Sequence, residues 1–419
     1  MFKKKKRSGA KKYRCRRILM LLENCGYPRD DRVRREARSL AAAGYEVTVI
    51  CPGSRDEPRQ EILDGVHIDR FPAPPRATGF IGYLWEYAYS LLAIFVCSWR
   101  VFVRRGFDAV HAHQPPDAFV FIAAFYKLWG KRYIVDHHDI APELYYARFG
   151  GQGNRTVFRV LVGLERLSCL LADRVIATNE SYKRIEMRRG RVPEERITVV
   201  RNGPDLNEIR PVDPDSAIRN RAAIIIGYVG AIGRQDGVDY LLRALRSLVS
   251  ELGKTGFLCL IVGAGHALAG LKLISRRLGI AEYVIFTGWI ERPADVSRYL
   301  STMDICVAPE PSDPYNDRST AAKVMEYMTL AKPIVAFDLP EHRVTAADAA
   351  VFARPNDERD MAERLAFLMD DPRIREELGR RGRARIDREL GWKFQAKALL
   401  DMYRRVFSRP EARTGEVSK

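Results

Sequence analysis

The chain has 419 residues, 47% of them hydrophobic and 29% charged. That is enough for two or three domains of about 150 residues each, and it excludes a disordered or fibrous protein. The net charge of +17 is unevenly spread: residues 1–17 hold ten Lys and Arg and no acid, leaving +7 for the other 402 residues.

The first 17 residues therefore read as a basic tail suited to an anionic surface. Anionic lipid fits that role; nucleic acid is not expected, because no basic patch interleaved with aromatics follows. The apolar run Ile18–Leu22 is too short for a secretory core, so it predicts a buried strand and a cytoplasmic chain. The seven cysteines are scattered without a CxxC pair, which argues against a disulfide framework or a zinc knuckle and for a reducing compartment.

A charged helix is predicted from about Asp31 to Ala43, ended by Gly44. Short apolar runs follow at Glu46–Ile50, Ala109–Ala112, Tyr133–Val135 and Val175–Ala177. Between them, Phe80–Val103 is rich in aromatics, and its uncharged stretch Tyr87–Trp99 is 13 residues long. That is short of the ~20 needed to cross a bilayer. Two readings stand: a buried core helix, or a helix lying in the headgroup region with its flanking arginines.

The second half repeats the rhythm at Ile224–Val229, Leu258–Val262, Val284–Phe286, Ile305–Val307 and Ile334–Ala336. Continuous apolar strands alternating with helices predict parallel sheets covered on both faces. Two such series meet at Pro211-Val212-Asp213-Pro214-Asp215. The expected fold class is α/β with two Rossmann-like domains, residues 18–212 and 213–391. A last helix over 392–407 is expected to return to the first domain. Ligands of such sheets sit at the carboxyl ends of the strands.

The stretch Asn316-Asp317-Arg318-Ser319-Thr320-Ala321-Ala322-Lys323-Val324-Met325-Glu326-Tyr327-Met328 follows one of those strand ends. Ser319 and Thr320 are good N-cap residues, and a helix N-terminus beyond a parallel strand suits a phosphate. Lys323 and Glu326 share a helix face, which fits a diphosphate and a ribose, or else a simple surface ion pair. Gly230-Ala231-Ile232-Gly233-Arg234 forms a second candidate loop: Gly230 and Gly233 allow close backbone approach, and Arg234 can meet an anion. In the first half, His111-Ala112-His113 and Asp136-His137-His138-Asp139 end two strands. Zinc would need three or four such ligands closing a tetrahedron. Contacts from His113, His138 and Asp139 to a sugar or an attacking hydroxyl fit better, and no metal or cofactor is expected.

Jointly these motifs resemble family-4 retaining glycosyltransferases of the GT-B fold over about residues 18–405. The resemblance is carried by Tyr27-Pro28-Arg29-Asp30-Asp31-Arg32-Val33, HAHQPPD, VDHHDIAPE, Thr178-Asn179-Glu180-Ser181, Val200-Arg201-Asn202-Gly203, GYVGAIGRQDGVDYL, Phe286-Thr287-Gly288-Trp289-Ile290 and KVMEYM. The NDRST–KVMEYM pairing looks like bacterial capsule and exopolysaccharide enzymes.

The resemblance implies a nucleotide-sugar donor, a UDP-sugar, held by the C-terminal domain, and a glycan or polyprenyl-linked acceptor held by the N-terminal one. It makes Glu326 the ribose ligand, places the backbone of Ile290 at the base, and puts His113 beside the reacting centre. Tyr27, Arg29 and Asp31 join the acceptor side. Arg318 stands where the family has a glutamate that touches the sugar, and Ala231 and Asp236 where it has an Arg and Lys for phosphate. Arg234 and Lys323 are then the candidates for that missing charge. A UDP-sugar 2-epimerase of the same architecture and a non-catalytic nucleotide-sugar binder are the competing readings.

Overall fold

The computed structural model describes residues 15–74, 79–290 and 292–408. The expected tail lies outside them as far as residue 14. Arg17, assigned to the tail by its charge, opens the first strand instead, where its N–H donates to Asp108.

Among the described residues the strands form two sheets. The first comprises β1 (Arg17–Leu21), β2 (Glu46–Gly53), β3 (Gln60–Leu63), β4 (Val66–Pro72), β5 (Ala109–Gln114), β6 (Arg132–His137), β7 (Arg174–Ala177) and β8 (Ile197–Val199). Their order is β3-β4-β2-β1-β5-β6-β7-β8. The second comprises β9 (Ile224–Val229), β10 (Phe257–Val262), β11 (Val284–Gly288), β12 (Ile305–Ala308), β13 (Ile334–Phe337) and β14 (Ala350–Ala353), in the order β11-β10-β9-β12-β13-β14. All of its pairings are parallel. From β9 the chain winds outward to β11, then returns to β12 at the centre. The switch point, with its crevice, lies between the carboxyl ends of β9 and β12.

By compactness the chain divides into residues 1–113 with 121–134, and residues 114–120 with 135–419. In the first unit, Ile18–Leu22 are at most 1% exposed, as a strand covered on both faces requires. Helix α1 (Asp31–Ala42) starts where the Asp30 carboxylate accepts the Val33 N–H, and Gly44 takes the left-handed conformation just beyond it. The hairpin β3–β4 was not expected. Its turn, Asp64-Gly65, has positive φ at both residues, the geometry of a tight hairpin that Asp-Gly specifies.

Helix α2 (Gly79–Arg104) is neither of the two expected helices alone. Ile94, Cys97, Ser98 and Val101 are buried, whereas Leu92, Val96, Trp99 and Val103 face out. Helix α3 (Phe119–Lys127) lies beside it from Phe121 onward, with Phe95 and Trp99 set against Phe125.

In the second unit, β9 divides its side chains between two cores. Ile226 and Tyr228 enter one; Ile225 and Val229 enter the other. That two-sided burial is why the strand reads as an unbroken apolar run. The C-terminal helix Trp392–Phe407 packs against β8 of the first sheet. The Trp392 N–H donates to the Pro204 carbonyl, and Gln395 Oε1 accepts the Arg201 N–H.

Candidate active site

The crevice between β9 and β12 holds a cavity of about 280 Å³. Gly230 and Ala231 line it from the loop after β9, and Gln235 and Asp236 from the turn that follows. Ser319, Thr320, Lys323 and Glu326 line it from the NDRST–KVMEYM segment. Gly230 has φ +145°, and a Cβ there would come within 2.9 Å of Lys323 Cε. The glycine is thus what lets the lysine cross the cavity wall.

Lys323 does not pair with Glu326 along its helix. Its ammonium turns to the Glu310 carboxylate, lies 3.1 Å from the Tyr228 hydroxyl and 3.9 Å from Asp236, and sits over the Tyr228 ring. His342 Nε2 approaches Glu310 from the far side at 3.5 Å. Burial alone would raise the Glu310 pKa, but the charges of Lys323 and His342 hold it below the usual carboxylate range. Burial likewise opposes the charge on Lys323, and Glu310 outweighs it, holding the ammonium well above its ordinary value. Burial raises Asp236, with Lys323 pulling the other way.

Glu310 and His342 were missed in the sequence. Glu310 lies two residues past β12, where an acid at a strand end was a usable signal; nothing in sequence spacing links His342 to it.

The N-cap expectation for Ser319 and Thr320 is overturned. The helix runs Ala322–Thr329 with Ala321 at its N-cap and no side-chain cap. The two hydroxyls are engaged elsewhere. Ser319 Oγ meets the Tyr182 hydroxyl at 2.7 Å, and Thr320 Oγ1 accepts from Asn179 Nδ2 at 2.9 Å. Asn179 also donates to the Arg318 carbonyl, and the Tyr315 hydroxyl donates to Asp139 at 2.6 Å. The loop that covers the cavity is thereby clasped to the ends of β6 and β7, through the Thr178-Asn179-Glu180-Ser181 motif. Asp139, expected on the acceptor side, is the carboxylate that holds Tyr315.

The other expected donor residues are not brought to the cavity wall. The Arg234 guanidinium lies over Gly150. Gly233 donates its N–H to Asp236. Ile290, just past β11, packs on the core that contains Val229 and Val262.

In the first unit, His113 is 1% exposed and stacks on His111 with ring centroids 4.3 Å apart. His111 Nε2 is 3.6 Å from Glu36, which the Arg32 guanidinium meets at 3.1 Å. Ligand atoms of Glu36, His111 and His113 lie within 4.8 Å of one another, but Arg32 already balances the carboxylate. Tyr27 is fully buried, with burial raising its pKa to about 12. Arg29 pairs with Glu57, and Asp31 with Arg34.

His138 Nε2 bonds Asp136 at 2.8 Å. His137 is buried between Glu186 at 3.0 Å and Asp117 at 3.4 Å. Burial opposes its charge, but the two carboxylates outweigh it and keep the ring charged well above its ordinary range. Glu186→Ala should cost about 3–5 kcal/mol in urea unfolding, because it strips a buried ion of one partner. The raised His137 pKa also fixes the pH sense. Its contribution is complete below the ordinary histidine pKa and is lost as pH rises through the folded value.

Residues 32–208 match the profile of Glycosyltransferase Family 4, and residues 223–371 match that of Glycosyl transferases group 1. The chain is 28% identical over 397 residues to D-inositol 3-phosphate glycosyltransferase of Thermomonospora curvata, covering 88% of each chain. In fold it resembles sucrose-phosphate synthase of Thermosynechococcus elongatus, with a TM-score of 0.77 at 18% identity over 94% of this chain and 99% of that one. Anabaena Alr3699/HepE, solved in complex with UDP-glucose, follows with a TM-score of 0.69 at 15% identity over 92% and 99%. Both profiles describe sugar-transferring enzymes, which favours transfer over the epimerase and non-catalytic readings. The chain is a glycosyltransferase with the two-domain GT-B fold, a sheet in each domain and a C-terminal helix, and its N-terminal part matches family 4.

Proposed function

We propose that this glycosyltransferase moves a sugar, with retention of configuration, from a UDP-sugar to a glycan or lipid-linked acceptor in surface polysaccharide synthesis. The observation that carries the donor reading is the cavity at the β9/β12 switch point, where Lys323, Glu326 and a helix N-terminus converge. Lys323 and the free N–H groups of that helix meet the diphosphate, and Glu326 accepts from the ribose hydroxyls. Fixed charges and N–H donors of this kind stabilise a departing diphosphate. The UDP-glucose complex of a protein with the same fold supports a uridine donor. The NDRST–KVMEYM sequence supports a polysaccharide acceptor, bound through the domain of residues 18–212. Seven free cysteines fit a reducing compartment, hence the cytoplasmic side.

The test is a panel of UDP- and GDP-sugars with glycan and polyprenyl-linked acceptors, with product anomers read by NMR. Acceptor-dependent consumption of a UDP-sugar with retained configuration is expected. Inverted product, or consumption of GDP-sugars alone, would overturn the reading.

One charge in the cavity works against the donor. Asp236 stands beside the phosphate path, and its carboxylate opposes a dianion. Asp236→Asn keeps an acceptor for the Gly233 N–H and removes about 1 kcal/mol of repulsion. UDP affinity should rise about five-fold by calorimetry. In the wild type, affinity should rise as pH falls through the raised Asp236 pKa; in the variant that dependence should flatten.

A further inference from the structure

Helices α2 and α3 leave an apolar face uncovered. Leu92, Val96, Trp99 and Val103 recur along one stripe of α2 and are 41–66% exposed. Phe121, Leu128 and Trp129, on and just past α3, are 59%, 84% and 57% exposed. Ring contacts join the two rows: Trp99 meets Phe125 at 5.8 Å, and Phe102 meets Trp129 at 5.9 Å. A face this large is not scattered surface hydrophobicity; it marks an interaction site.

Its surroundings choose the partner. From Trp85 to Arg104 the one acid is Glu86, against Arg100 and Arg104. From Phe119 to Arg132 there is no acid, against Lys127, Lys131 and Arg132. A second copy of this chain would bring the same positive charges to the same face and be repelled. An anionic bilayer offers phosphates to the cations and a headgroup boundary to the tryptophans.

Trp85–Arg104 is long and apolar enough to span a membrane. Its inner side, however, is bound into the domain by buried Ile94, Cys97 and Val101, and by a 2.8 Å hydrogen bond between Ser98 and Tyr126. Spanning would strip those contacts away, so the helix lies on the surface. We propose that the α2–α3 face is a docking surface for an anionic lipid bilayer, with Trp99, Leu128 and Trp129 entering the headgroup boundary. The proposal is independent of the donor reading.

The experiment is co-sedimentation of the full chain with vesicles of phosphatidylglycerol and phosphatidylcholine, compared with phosphatidylcholine alone. The variants are Leu128→Glu and the double change Trp99→Glu, Leu128→Glu. Unfolding curves serve as the check on folding, and Leu128 is exposed enough for its single variant to remain folded. Wild type should bind the anionic vesicles and retain part of that binding at high salt, where charge alone is screened. Leu128→Glu should lower the partition at least ten-fold, and the double change further. If the variants sediment like wild type, the basic N-terminal segment accounts for the binding and the proposal falls. It falls equally if wild type forms dimers that Leu128→Glu dissociates while vesicle binding is absent.

Discussion

Lys323→Met is expected to weaken UDP affinity by about a hundred-fold and to destabilise the fold by about 3–5 kcal/mol. Both effects have one origin. The ammonium is the cation buried among Glu310, Asp236 and the Tyr228 hydroxyl, and methionine leaves the Glu310 carboxylate with less charge to answer it. Calorimetric titration with UDP and urea unfolding measure the two losses separately. A second change tells them apart: adding Glu310→Gln removes the stranded charge and should recover most of the stability, while affinity stays low. Recovery of UDP affinity along with stability would mean that Lys323 serves the fold alone. Acid sensitivity follows from the same pair. Because the folded pKa of Glu310 is lowered, its contribution is present above the ordinary carboxylate pKa and is lost as pH falls through the folded value.

His113→Ala should reduce turnover by about 10²- to 10⁴-fold, the usual worth of a placed proton-transfer or polar group. UDP affinity should remain within about two-fold, because the proposed donor contacts, Lys323, Glu326 and their helix N-terminus, lie in the β9/β12 crevice. The ring stacks on His111 near the end of β5. Transfer rates and UDP calorimetry on the same preparation decide the matter. If UDP affinity falls as far as turnover does, His113 does not act on the acceptor side.

The elements that came out of the sequence are those whose cause is local. Ile224–Val229 is an apolar run between turns, and it is the strand found. The charged stretch from Asp31 to Ala43, ended by Gly44, reads as a helix, and α1 is found at Asp31–Ala42 with Gly44 just beyond it. The β3–β4 hairpin was legible in the same way through Asp64-Gly65, a signal that went unused. The doubled strand–helix rhythm likewise required two parallel sheets, because only burial on both faces suits such strands.

Tertiary structure decided the side-chain partners. Lys323 has Glu326 one helical turn away, yet it pairs with Glu310, 13 residues earlier, because β12 delivers that carboxylate to the crevice. Ser319 and Thr320 have the chemistry of helix caps, but Tyr182 and Asn179 claim their hydroxyls from the other sheet's elements. Arg234 has the charge for a phosphate and the wrong direction for this cavity. The aromatic helix could be assigned to neither core nor surface from its composition, because which stripe is covered depends on where α3 and the sheet lie. Backbone conformation answers mainly to neighbours in the chain. Ion pairs and exposed faces answer to distances that close only when the chain has folded.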